Sequence, residues 1–122
     1  MQLLFAVAVG GAFGSIARFL LSKRIQEFSS IGFPFGILLV NVLGSFLIGF
    51  LATLLIERFS LNDMWRALIL IGFLGGFTTF SSFSIDAVNL LRQGFQWQGF
   101  IYIFSSVIFC LLATWLGIFL AK

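Results

Sequence analysis

No histidine occurs in the 122 residues, and there is one cysteine, Cys110. Those two absences exclude an imidazole or thiolate metal cluster and an intramolecular disulfide. Charged residues make up only 9% of the chain, against roughly 25% in a soluble domain, so a soluble fold is excluded. The acidic residues are Glu27, Glu57, Asp63 and Asp86, and only Asp86 falls inside a long apolar stretch. With no histidine, no carboxylate pair and no base beside a serine, the chain lacks an activated nucleophile, which argues against an enzyme. The first apolar stretch carries no carboxylate, which weakens proton-coupled or cation-carrying mechanisms.

What is present is apolar: 61% of residues are hydrophobic, and mean hydropathy is +1.16. Four stretches, at about 3–21, 33–56, 67–91 and 97–121, each approach the ~20 residues a helix needs to cross a bilayer. They are continuously apolar rather than alternating, so a β-barrel is a poor alternative. The expected fold is an all-α integral membrane domain of four spans occupying 1–122. Such a chain has no room for a separate catalytic or nucleotide-binding domain. Pro34, the one proline, falls at the start of the second span, where a missing N–H costs nothing. The first span begins directly after Met1-Gln2 without a basic segment and leads into three more, so it reads as structural rather than as a cleaved leader. Small residues spaced four apart (Gly10/Gly14, Gly32/Gly36, Gly72/Gly76, Ala113/Gly117) let helix backbones approach closely in lipid.

The net charge of +3 is spread over seven basic residues and reads as interfacial anchoring in membrane lipid, not as a nucleic-acid surface. Four spans put Arg58, Arg66 and Lys122 on one side of the membrane. Lys23, Arg24 and Arg92 lie on the other, with Arg18 about a turn inside the first span. The positive-inside bias is therefore almost nil. Such balance is expected of a chain that inserts both ways and pairs with an inverted copy, and the antiparallel homodimer is the preferred reading.

The third stretch contains Gly75-Gly76-Phe77-Thr78-Thr79-Phe80-Ser81-Ser82-Phe83-Ser84, in which five of the seven residues from Thr78 to Ser84 carry hydroxyls. Lipid satisfies none of those groups, so the segment has to face protein, water or an ion. A break of this kind at bilayer depth is the mark of a transport site, and a break in the third helix is expected here. Phe80 and Phe83 are three residues apart, so in a helix they share a face with Phe77 and Ser84; ring edges are positive and can touch a desolvated anion. Asn41 shares a face of the second span with Gly44, Ser45 and Ile48, either as interhelical glue or as an amide donor on a pathway. Tyr102, Ser106 and Thr114 form a thin polar stripe on the fourth span, whereas Cys110 reads as a packing residue. Donors without a central acid favour an anion.

The motif at 75–84 resembles the signature of the Fluc (CrcB) family of small dual-topology fluoride channels. Val40-Asn41-Val42-Leu43-Gly44-Ser45 and Gly10-Gly11-Ala12-Phe13-Gly14-Ser15-Ile16-Ala17-Arg18 resemble other parts of that family, and the likeness covers essentially the whole chain. The resemblance implies an antiparallel homodimer in the cell (inner) membrane that passes fluoride passively out of the cytoplasm. It implies a fluoride pathway through Asn41, Phe80, Phe83, Tyr102 and Ser106, with Thr79, Ser81 and Ser82 lining or supporting it, and Arg18 at a vestibule. It also implies a structural sodium ion at the dimer centre, held by the backbone carbonyls of Gly75 and Thr78. Two rival readings are a small drug/proton antiporter, which needs a carboxylate deep in its first helix, and a non-transporting membrane assembly factor, which needs no polar break.

Overall fold

The computed structural model describes residues 1–29 and 31–122. Four apolar rods run through it: α1 (Gln2–Phe28), α2 (Phe35–Arg58), a third span (Asp63–Arg92) and α5 (Gln96–Ala121). The third span is divided into α3 (63–77) and α4 (Phe80–Arg92) by Thr78 and Thr79, whose backbones are extended. No strand occurs among the described residues. Even the shortest rod, at 24 residues, is about 36 Å long and exceeds the ~30 Å hydrocarbon layer.

The first helix runs seven residues beyond the expected end at 21, because Ser22 to Glu27 contain no glycine or proline and Lys23, Arg24, Gln26 and Glu27 favour a helix. Lys23 lies back over the ring of Phe19 and Arg24 forward over that of Phe28, at 5.8 and 5.6 Å from the ring centroids. Gln26 then fastens α1 to α2. Its Nε2 donates to the Phe33 carbonyl and its Oε1 accepts from the Gly36 N–H, each at 2.9 Å, and the latter satisfies an N–H of the second helix that has no intrahelical partner. At the next connection the Asn62 side chain accepts from Trp65 N–H and starts α3. Gly94, at φ +89°, ends α4 in the left-handed conformation that only glycine adopts freely.

Large apolar side chains such as Phe5, Phe19, Phe104, Trp115 and Phe119 point outward, as lipid permits. Cohesion comes instead from close backbone approach. A Cβ at Gly10 or Gly14 would collide with backbone carbonyls of α3, and one at Gly49 or Gly117 with the facing carbonyls of α5 or α2. Two helix pairs result, α1 with α3 and α2 with α5. Gly36 meets the Ser22 carbonyl in the same way, whereas Gly32 has open space around it. The other core is a small apolar cluster of Leu38, Phe83, Ala87, Leu90 and Tyr102, which seats α4 between α2 and α5. The turns of α3 over Ala67–Leu74 are widened to π-helical spacing, so the helix is already irregular one residue before the Gly75-Gly76 pair.

Candidate functional site

The interruption at Thr78-Thr79 is built by side chains from two other helices. Asn41, on α2, donates from Nδ2 to the Thr79 carbonyl at 3.0 Å and accepts the Thr79 N–H on Oδ1 at 2.8 Å. Its amide therefore takes the part of a neighbouring strand and satisfies both backbone groups of an extended residue inside the bundle. From α1, Arg18 donates Nε to the Gly76 carbonyl at 3.0 Å, placing a cation at the negative end of α3. On the far side Thr79 caps α4: its Oγ1 accepts the Ser82 N–H at 3.1 Å and lies 3.3 Å from the Ser81 hydroxyl. The break thus sets a helix C-terminus and a helix N-terminus almost end to end.

Diverting those N–H groups frees specific carbonyls. In a continuous helix Thr79 N–H would bond Gly75 and Ser82 N–H would bond Thr78. Here the first goes to Asn41 and the second to the Thr79 hydroxyl. Gly75 is exposed, and a Cβ there would meet nothing within 4 Å.

Beside the break lies an open groove of about 400 Å³ between α2, the third span and α5. Asn41, Gly44, Ser45 and Ile48 form one wall, Gly75, Thr78, Thr79, Phe80 and Phe83 a second, and Ser106, Val107, Cys110 and Leu111 a third. Among the described residues, no charged side chain lines it. Ser106 is 6% exposed, and its Oγ has no hydrogen-bond partner. Phe80 is 77% exposed and stands 5.3 Å from Phe83, centroid to centroid, with Tyr102 another 5.2 Å behind Phe83.

Other candidates sit differently. Tyr102 is fully buried behind the groove, and its hydroxyl points to Asp86 Oδ2 at 3.4 Å. Arg18, Ser81 and Ser82 flank the break without lining the groove. Phe77 does not share the face of Phe80, because the break turns it inward to stack on Phe73 at 5.9 Å. Two hydroxyls of the 78–84 cluster bond back to the preceding turn: Thr78 Oγ1 to the Leu74 carbonyl and Ser84 Oγ to the Phe80 carbonyl. Thr114 donates across to the Ser45 carbonyl and ties α5 to α2. Cys110, read from the sequence as packing, is on the groove wall one turn from Ser106; that spacing was the signal for it.

The family model described as CrcB-like protein, Camphor Resistance (CrcB), matches residues 5–118. The chain belongs to the CrcB family. It is 43% identical over 122 residues to the "Fluoride-specific ion channel FluC" of Aquifex aeolicus (strain VF5), with 100% of this chain and 98% of that protein covered. It is 45% identical over 119 residues to the protein of the same description from Opitutus terrae, covering 96% of this chain and 90% of that one. A third relative so described, from Methylococcus capsulatus, is 44% identical over 98% of this chain; the chain spans about half of that protein, 52%. Every groove residue of this CrcB chain lies inside the matched segment, and its four spanning helices make it a multi-pass membrane protein.

Proposed function

We propose that this chain is a fluoride-selective channel that lets fluoride leave the cytoplasm passively, and that it works as an antiparallel homodimer in the cell membrane. The observation that carries the reading is the groove: it offers neutral donors and aromatic edges beside a helix N-terminus, and no charged side chain lines it. A strongly hydrated anion has to exchange water for donors, and a fixed cation at the narrow point would hold it too long. The unpartnered Ser106 hydroxyl is one such donor, and Asn41 retains a second amide hydrogen after its bond to Thr79. Phe80 and Phe83 line the same wall, and an aromatic ring has a positive edge that an anion can touch. Near the N-terminus of α4 the peptide dipoles favour negative charge. Arg18, half-buried one helix away, adds long-range attraction without entering the groove. The names of the relatives support fluoride as the ion.

The exposed Phe80, Ser81 and Gly75 make a mixed polar and aromatic face that lipid solvates poorly, which favours a second copy covering it. The diverted bonding at the break also suits a structural sodium ion, since Gly75 and Thr78 are the carbonyls whose helical donors have gone elsewhere. Hard cations take oxygen ligands of this kind. When bound, the sodium would supply a fixed positive charge that holds the carbonyls together.

The test is fluoride efflux from liposomes containing the purified protein, read with a fluoride electrode beside a chloride control. Fluoride-selective efflux is expected in sodium medium; a folded protein with none would overturn the proposal. Two or three lysines added to the loop after α1 are expected to impair efflux until an oppositely biased copy is co-expressed. A biased protein working alone would remove the antiparallel dimer.

A further inference from the structure

Cys110 is the one cysteine of the chain, and it stands half-buried on the wall of the groove. It follows Ser106 by four residues on α5, so the two side chains share a face one turn apart. The Ser106 hydroxyl is buried and unpartnered on that same wall, an independent sign that the groove receives a polar guest at this height. Val107 and Leu111 bracket the pair, and Ser45 faces the groove from α2. A thiol here is a weak donor in a line of hydroxyls.

We infer that Cys110 is a contact of the transported ion's path and a modification site through which small thiol-directed reagents close it. The inference rests on the proposed channel reading of the groove. With methyl methanethiosulfonate, the Cys110 thiolate sulfur bonds to the reagent's sulfenyl sulfur. The reagent's S–S bond breaks, methanesulfinate leaves with the electron pair, and the thiol proton passes to the buffer. The product carries a methylthio group where the ion would pass Ser106, and it replaces the thiol hydrogen with an apolar cap.

The experiment treats channel-containing liposomes with methyl methanethiosulfonate and follows two readouts: the mass of the intact protein and the fluoride efflux rate relative to the untreated sample. Modification of Cys110 is expected to cut efflux roughly tenfold or more, since each site of a multi-site pore has to be passed in turn. Cys110→Ser is expected to keep its own untreated rate after exposure. A second control is Phe109→Cys in the Cys110→Ser background, with its thiol on the outward face of α5. It is expected to gain the mass without losing efflux. Full modification of Cys110 with unchanged efflux would remove the residue from the path, and a thiol that never reacts would show that the groove is sealed at this height. Absence of efflux before treatment would instead count against the fluoride reading, while the mass readout would still report whether Cys110 is reachable.

Discussion

The two halves of the third span differ in what holds them. α3 lies against α1 through glycines, with Gly10 and Gly14 so close to its backbone that no side chain fits between. α4 has no such contact; it is seated by Phe83, Ala87 and Leu90 against Tyr102 and Leu38, with Phe80 and Ser81 left exposed. One half is a close-packed post, and the other turns an exposed Phe80 toward the groove. The junction between them depends on single side chains, Asn41 from α2 and Arg18 from α1. In lipid, where apolar burial gives helices no drive to associate, close packing has to supply cohesion, and it leaves the opposite face free for donors.

Breaking the post has the largest expected effect. Gly14→Leu drives a side chain into the Phe73 carbonyl and forces α1 off α3. Overpacking alone costs about 1–3 kcal/mol, and here the obstacle is backbone, so loss of the folded, detergent-stable species on size exclusion is expected. Gly75→Ala is the matched contrast. A Cβ there meets nothing within 4 Å of this protomer, and φ is −61°, so the protomer is expected to fold, with any loss falling on the dimer whose second copy covers Gly75.

Next is the junction. Asn41→Ala leaves the Thr79 N–H and carbonyl without partners, and each unsatisfied group costs about 1–3 kcal/mol. A drop in thermal stability and loss of fluoride efflux are both expected. Asn41→Asp keeps the acceptor for Thr79 N–H but sets a carboxylate against the Thr79 carbonyl and puts negative charge on the groove wall. Suppressed efflux with a smaller stability loss than Asn41→Ala would separate the two tasks of this residue.

Phe80 and Phe83 sharpen the comparison within α4 itself. Phe80→Ile changes an exposed side chain, so intact protein with efflux abolished or sharply reduced is expected. Phe83→Ile removes a ring that is 9% exposed and packed on Tyr102, and a measurable fall in melting temperature is expected as well. Equal stability losses would place both rings in the core and undo the distinction.

How much of this was legible in the sequence depends on range. Helix number, the position of Pro34 and the face shared by Asn41, Gly44, Ser45 and Ile48 follow from apolar length and helical spacing, which are local. The hydroxyl cluster at 78–84 marked where the third span is irregular, because such groups are intolerable in lipid. Which hydroxyl does what was not legible. Ser84 and Thr78 turn back to their own carbonyls while Ser106 stays unpartnered, and that choice depends on the neighbouring helix, not on residue type. Asn41, which reads as either glue or pathway donor, bonds Thr79 across the bundle and also faces the groove, so the one position does not exclude the other. Cys110 reads as packing because the run around it is apolar; in three dimensions it is half-buried and also stands on the groove wall, one turn past Ser106.

Arg18 carries the smallest expected effect, and it separates charge from capping. Its Nε donates to the Gly76 carbonyl at the end of α3, and its guanidinium stands near the break without lining the groove. Favourable charge at a helix end is worth about 0.3–1 kcal/mol when exposed and up to ~2 kcal/mol when partly buried. Arg18→Gln can restore a neutral donor but not the charge; Arg18→Lys keeps the charge and loses the planar fork. If the long-range field matters, Gln is expected to lower efflux a few-fold at low salt, with the deficit shrinking as ionic strength rises. If the donated hydrogen bond matters and the charge does not, Gln is expected to keep both efflux and melting temperature near the parent values, and salt is expected to change nothing. Efflux from each at two salt concentrations, beside a melting curve, decides which end of the break Arg18 serves.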